Sequence, residues 1–155
     1  MPQIAAREAA LAAIAARLTA QLAGVAVERG RRSMIGVEET LPRIVLVMGG
    51  HEEQDPDAVG MVLYRCTAQV EGYVAATTDE ALEGAINDLH ARCAAALVGA
   101  EIAYGVVGDD LWVTGQGFAP EAALLTASDA PIGGFTWTIG FDIRAPDAGG
   151  PYTTA

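Results

Sequence analysis

The sequence contains no lysine. All nine basic residues are arginines, and 20 aspartates and glutamates outnumber them, so the formal net charge is −11 at pH 7. Tight binding of nucleic acids needs clustered cations that displace counterions from phosphates. The charge balance therefore argues against a protein that holds DNA or RNA, although it permits a surface along which DNA passes without being held.

Cysteine and long apolar runs are also scarce. The two cysteines, Cys66 and Cys93, each fall within an apolar pattern, where such residues are usually small buried side chains. They form no disulfide framework, so we expect a reducing compartment. No segment approaches the roughly 20 apolar residues of a membrane span. Because Arg7, Glu8 and Arg17 interrupt the N-terminal segment, we do not expect a secretory signal there.

The familiar motifs of catalysis are missing as well. The sequence has no GxSxG nucleophile elbow, no CxxC pair and no glycine-rich phosphate loop that opens a helix. His90 and Cys93 lie three residues apart on a predicted helix, but no orienting acid accompanies them. We therefore expect both residues to be structural, and the sequence predicts neither an enzyme nor a cofactor.

The most regular pattern that is present is a strand followed by a helix. From residue 62 to residue 74, apolar side chains alternate with mixed ones, which predicts a strand with one apolar face. Thr78 and the two acids after it are typical of a helix start, and Gly99 is typical of a helix end. Between them, one apolar stripe predicts the buried face of the helix, formed by Leu82, Ile86, Leu89, Cys93 and Leu97.

Other segments complete the predicted fold. Residues 4–23 predict an alanine-rich amphipathic helix, and residues 43–48 predict a buried strand. Residues 135–144 predict the clearest strand, because aromatic and aliphatic side chains alternate there with polar ones. Weaker patterns indicate short strands at residues 25–27, 111–113 and 122–126, a crossing segment or short strand at 101–108, and a turn at 128–134. We expect one domain over residues 1–155, with 145–155 as an extended tail. The predicted class is α+β, with two amphipathic helices on one face of a mixed, mainly antiparallel sheet.

Two charged segments are the candidate functional residues. The first contains Arg29, Arg31 and Arg32, for which we favour a solvated loop or a salt-bridging contact to an acidic neighbour over a phosphate-binding patch. The second runs from residue 51 to residue 57 and contains His51, Glu52, Glu53, Asp55 and Asp57. Its acids and its proline predict an exposed loop. A divalent-metal site there is conceivable but lacks a second anchoring segment, so we predict no metal site.

The order of these segments resembles a known family. The segment 41–47 (LPRIVLV) is similar to a strand common in the tail terminator, or tail completion, proteins of long-tailed phages and gene transfer agents. The acidic segment, the strand that ends at residue 74, the following helix and the strand 135–144 come in the family's order. The ending GGPYT at residues 149–153 is also similar, whereas Ala145 and Pro146 depart from the usual continuation.

The resemblance implies a structural virion protein and no catalytic residues. It implies a homohexameric ring at the head-proximal end of the tail, assembled in the bacterial host cytoplasm. Such a ring stops tail-tube polymerisation, binds the tube protein and the head-side connector, and lets DNA pass through its lumen. A head-to-tail ring needs two complementary patches on each subunit, which Arg29, Arg31 and Arg32 and the acidic segment 51–57 would supply.

Two alternatives remain open at the level of sequence. The first is another head–tail joining protein or a tail tube protein, which would form open-ended polymers instead of closed rings. The second is a small-molecule-binding α+β domain that uses the surroundings of His51, Trp112 and Trp137. Trp137 lies on the same face of the predicted strand as Phe135 and Ile139, which predicts that this residue belongs to the core.

Overall fold

The computed structural model describes residues 3–31, 33, 39–57, 61–105, 110–125, 132–146 and 152–154. The elements in chain order are β1 (Gln3–Ala5), α1 (Ala6–Gln21), β2 (Ala26–Arg29), β3 (Arg43–Asp57), β4 (Met61–Ala75), α2 (Asp79–Leu97), β5 (Glu101–Ala103), β6 (Asp110–Trp112), β7 (Thr114–Leu125), β8 (Ile132–Pro146) and β9 (Tyr152–Thr154).

A five-stranded sheet with the order β2-β3-β4-β8-β7 forms the centre of the fold. The short strand β2 runs parallel to β3, and every other neighbouring pair is antiparallel. Two two-stranded sheets, β1–β9 and β5–β6, lie outside it. The predicted class, α+β with a mixed and mainly antiparallel sheet, is confirmed.

Strands β4 and β8 pair along their whole length, from Met61 opposite Pro146 to Ala75 opposite Ile132. On β8 the predicted apolar face is confirmed, because its five large residues, Phe135, Trp137, Ile139, Phe141 and Ile143, are all buried. On β4 the even-numbered residues from Val62 to Val74 mostly face the same side. This pair of strands is therefore the floor on which the helices pack.

Both helices pack on that one face of the sheet. The buried stripe of α1 contains Leu11, Ile14 and Leu18, and α2 buries its five predicted stripe residues, so both helices share one hydrophobic core with the sheet. Thr78 caps α2 by accepting a hydrogen bond at Oγ1 from the backbone N–H of Ala81 at 3.1 Å. Capping with Ser or Thr satisfies an N–H group that has no partner inside the helix.

Several boundaries differ from the predictions. The first helix begins at Ala6 instead of residue 4, because Gln3–Ala5 pairs with Tyr152–Thr154 as a separate two-stranded sheet. The chain after residue 144 is therefore not simply an extended tail. Strand β8 continues to Pro146, and β9 returns to the N-terminal strand. Strand β7 begins at Thr114 instead of residue 122, because glycines and Pro120 interrupt the alternating pattern by which the strand could be recognised. Residues 106–109 and 126–131 lie outside the described residues.

The acidic segment 51–57 is not the predicted loop but the second half of strand β3. It pairs antiparallel with β4, with His51 opposite Cys66 and Asp57 opposite Met61. Polar residues and a proline are tolerated on an edge strand, because its outer side has no ladder to complete. Within the described part of the chain, β2 covers β3 only from Arg43 to Leu46, so the acidic half lies at an edge of the sheet.

Candidate assembly surface

Arg29 joins strand β2 to helix α1. Its guanidinium donates two parallel hydrogen bonds to the carboxylate of Glu8, from Nη1 to Oε1 at 2.7 Å and from Nη2 to Oε2 at 2.9 Å. The hydrogen bond from Arg29 holds the pKa of Glu8 below its ordinary value. Bidentate arginine–carboxylate pairs combine charge with fixed geometry, so this contact links the surface of the first helix to strand β2.

Arg31 belongs to a network of two arginines and two glutamates. Its guanidinium contacts Glu39 and donates to Glu28 at 3.0 Å, and Arg43 donates to the second oxygen of Glu28 at 3.1 Å. Hydrogen bonds to Glu39 and then to Glu28 raise the pKa of Arg31 above its ordinary value. The predicted salt bridging to acidic neighbours is confirmed for Arg29 and Arg31, whereas Arg32 lies outside the described residues.

The acidic half of β3 lies apart from the basic segment within one chain. Arg29 stands opposite Leu46, and the five residue-to-residue steps from Leu46 to His51 span roughly 17 Å of strand. Of the acidic side chains, the structure describes that of Glu52, which is exposed and lies opposite Arg65 in the ladder. The side chains of His51, Glu53, Asp55 and Asp57 lie outside the described set, although their backbone belongs to β3.

The buried thiols have the environment expected of structural cysteines. Cys66 and Cys93 are both free and buried. Burial raises the pKa of Cys66 to about 11 and that of Cys93 to about 12. Because the thiolate is the reactive form, neither cysteine is prepared to act as a nucleophile at neutral pH.

His90 is part of an aromatic cluster that the sequence patterns did not predict. Its ring centroid lies 4.2 Å from that of Phe118, 5.0 Å from that of Trp137 and 5.5 Å from that of Phe135. The Nε2 atom is buried and has no hydrogen-bond partner among the described residues, and desolvation lowers the pKa of His90. The arrangement stabilises a neutral ring that packs as an aromatic, which is a structural role. In the sequence, only the alternating pattern around Trp137 indicated a part of this cluster.

Trp112 is a large aromatic residue that the fold directs outward. In the sequence Leu111-Trp112-Val113 the flanking side chains are buried, whereas the Trp112 side chain is 56% exposed. Two surface grooves of about 330 and 210 Å³ meet at this residue, and both are also lined by Asp142. Arg65 pairs with Asp142 at 3.2 Å beside the indole. The result is an exposed aromatic ring set among charged groups.

A small pocket of about 190 Å³ lies at the other end of strand β4. Helix α2 contributes Ala85, Asp88, Leu89 and Arg92, β4 contributes Val74 and Ala75, and the cis Leu41–Pro42 dipeptide closes the remaining side. Val74 and Leu89 form a buried apolar floor. Arg92 is held at the rim by a hydrogen bond to the carbonyl oxygen of Ala23 at 2.9 Å.

The described residues contain no group of three or more His, Cys, Asp or Glu side chains placed to hold a metal ion. Among the same residues, no helix is both long and apolar enough to cross a membrane. Trp137 is buried in the core, as predicted, and therefore does not line a pocket together with Trp112. The described surface presents a charged network, an open sheet edge, an exposed indole and a pocket with an apolar floor.

Neither the protein-family models nor the curated proteins include a match to this sequence. Among solved structures, the fold is similar to a chain in the virion of a native gene transfer agent particle, with a TM-score of 0.51. The alignment covers 89% of this chain and 98% of that chain at 16% sequence identity. At this level of identity the likeness establishes a shared fold.

Proposed function

We propose that this protein is a structural component of a virion, of the phage or gene-transfer-agent kind. The observation that carries the proposal is the likeness to a gene transfer agent virion chain, which extends over 98% of that chain and 89% of this one. A match over nearly the full length of both partners compares whole architectures instead of a common motif. The segment order described above supports the same class of protein.

Within the virion, we propose the role of a tail terminator. The subunits would close into a homohexameric ring on the head-proximal end of the tail tube, stop its polymerisation and bind the head-side connector. The acidic composition supports a lumen through which DNA slides, because a net charge of −11 on each subunit repels phosphates. No catalysis is required, which suits two cysteines whose thiols burial keeps protonated.

Ring closure requires two different complementary surfaces on each subunit. We propose that the basic segment with Arg29, Arg31 and Arg32 and the acidic half of β3, from His51 to Asp57, contribute to them. Arg29 and Arg31 already hold carboxylates within the chain, so the acids of a neighbour would extend an existing network instead of neutralising isolated charges. The separation of the two segments along the sheet suits a head-to-tail contact.

Two measurements test this role together. Light scattering over a range of concentrations should find a discrete species near six times 16.0 kDa, and addition of the protein to polymerising tube subunits should shorten the tubes. Open-ended polymers in place of rings would identify a tube protein, the second candidate. A monomer at all concentrations that leaves tube length unchanged would overturn the proposal.

The contribution of the charged segments has its own test. The double variant Arg31→Glu with Arg32→Glu should lose the ring, while circular dichroism reports whether the subunit stays folded. Arg17→Glu is the matched control, because Arg17 lies on helix α1, where it donates to the carbonyl oxygen of Ala96 at 3.0 Å, outside both segments. A ring that persists in the folded double variant would exclude the basic segment from the subunit contact.

A further inference from the structure

We propose that Trp112 of one subunit inserts into the 190 Å³ pocket beside helix α2 of the next subunit. This inference rests on the proposed ring and assigns a specific head-to-tail contact to it. The proposed occupant of the pocket is therefore a second copy of this chain. It is distinct from the charged segments discussed above, because neither Trp112 nor the pocket residues belong to them.

The backbone holds the indole outward. Trp112 lies between Leu111 and Val113, both buried, and β-strand side chains alternate between the two faces. The strand β6 that carries it is anchored by pairing with β5, with Glu101 opposite Trp112. Tryptophan is strongly enriched among the residues that dominate binding energies at interfaces. An indole that is 56% exposed on a paired strand is thus available as an anchor.

The pocket matches this anchor in size and polarity. Its floor is formed by Val74 and Leu89, and Pro42 and Ala85 add apolar walls. A dry apolar cavity of about 150 Å³ accommodates benzene, so a volume of about 190 Å³ admits an aromatic ring system of indole size. The carboxylate of Asp88 at the rim is an acceptor for the indole N–H, which usually needs a partner when it is buried.

The charges around the two features are complementary. Asp110 and Arg144 line the groove next to Trp112, and Asp88 and Arg92 stand four residues apart at the rim of the pocket. Each of the two surfaces therefore carries at least one acid and one base, so opposite charges are available on both sides of the proposed contact. Complementary charges at the edge of an interface fix its register and exclude wrong partners.

The positions of the two features dictate how the copies assemble. Leu63 lines the groove beside Trp112 and Val74 lines the pocket, and these two residues of β4 are separated by roughly 36 Å of extended strand. The indole therefore cannot fill the pocket of its own chain. Because one surface is the anchor and the other is the receptor, the contact is heterologous and propagates from subunit to subunit until a ring closes.

A complementation experiment on the full-length protein tests the contact. Trp112→Ala removes the anchor and keeps the pocket, whereas Ala85→Arg fills the pocket and keeps the anchor. We expect each variant alone to be monomeric, with the dissociation constant of the subunit contact raised about 30-fold or more. Mixed at equal concentration, the two variants retain one intact anchor–pocket pair, so light scattering should detect one-to-one dimers that cannot extend into rings.

Met48→Ala is the matched control, because Met48 is an exposed large apolar residue, 53% exposed, outside both features. It should leave the ring intact, and circular dichroism should show all three variants folded. A folded Trp112→Ala variant that still forms rings overturns this inference and leaves the proposed function standing. If such rings no longer shorten tubes, Trp112 binds another virion protein instead. If the wild-type chain never assembles, both the proposed ring and this inference are wrong.

Discussion

Gly72 lies directly beneath the ring of Phe135 on the neighbouring strand. The two residues are register partners in the β4–β8 ladder, and a Cβ atom at position 72 would overlap the phenyl ring. An aromatic side chain that covers a glycine on the adjacent strand shields backbone that would otherwise be poorly packed. At this pair, the face of the sheet that the helices cover has no room for an additional methyl group.

This packing predicts the cost of a single methyl group. Gly72→Ala should lower the free energy of unfolding by about 1–3 kcal/mol, because Phe135 must leave its position in a dense core. Gly84→Ala is the matched control: the site lies in helix α2, and no atom stands within 4 Å of the place its new methyl group would occupy, so alanine should stabilise by about 0.5–1 kcal/mol. Urea unfolding at fixed protein concentration measures both, and equal effects would contradict the packing argument.

His90 predicts a pH dependence of stability. Burial lowers its pKa in the folded chain. Below a pH of about 6.5, the ordinary histidine pKa, His90 is therefore protonated in the unfolded chain and remains neutral in the folded chain. Stability is therefore complete above that pH and falls as the pH decreases below it, by at most about 1.4 kcal/mol per pH unit. Urea midpoints at pH 7.5 and pH 5.5 report the difference.

The variant His90→Phe isolates this contribution. Phenylalanine keeps an aromatic ring against Phe118 and Trp137 and removes the Nε2 atom, which lacks a hydrogen-bond partner among the described residues. The variant should lose less stability than the wild type between pH 7.5 and pH 5.5. Carboxylates such as Glu8, whose pKa is lowered by Arg29, lose their contribution only at more acidic pH. An unchanged pH dependence would show that His90 has the same pKa in the folded and the unfolded chain, as a solvated histidine would.

The two cysteine thiols should be unreactive in the native protein. With pKa values of about 11 for Cys66 and about 12 for Cys93, and with both side chains buried, almost no accessible thiolate exists at pH 8. A thiol-specific chromogenic reagent should therefore detect no cysteine in the folded chain and two after denaturation. Rapid modification of either residue without denaturant would show that the region around it opens locally.

The ion-pair network around Glu28 should contribute more to the free energy of unfolding than the exposed pair of Arg65 and Asp142. Glu28 accepts hydrogen bonds from Arg31 and Arg43 in a half-buried setting, so Glu28→Ala should cost about 1–2 kcal/mol. Arg65→Ala breaks an exposed pair with Asp142 and should cost under about 1 kcal/mol. Chemical denaturation of both variants measures the difference, and a larger loss for Arg65→Ala would reverse this ranking of the two sites.

The parts of the fold predictable from sequence are those in which one periodicity dominates. Helix α2 combines a capping threonine, a five-residue apolar stripe and Gly99, whose φ of +76° favours glycine. In β8 aromatic and polar residues alternate, and here too local preference and burial agree. Both elements were predictable because each residue choice supports the same structure.

The remaining features depend on partners distant in sequence. The segment 51–57 has loop composition, and it becomes a strand because β4 supplies a ladder that composition does not reveal. The cluster around His90 combines α2, β7 and β8, so no local pattern contains it. Likewise, Trp112 and the pocket beside α2 became recognisable as separate surfaces only once the fold placed them at opposite ends of β4.

The pairing of β1 with β9 brings residues 3–5 and 152–154 side by side. Gln3 stands opposite Thr154 and Ala5 opposite Tyr152, so a short peptide could bridge the first and last strands without altering the strand order of the central sheet. Folds with neighbouring termini tolerate circular permutation. In an assembled particle, labels attached at Gln3 or at Thr154 would therefore mark the same place, and one such label would map the orientation of every copy.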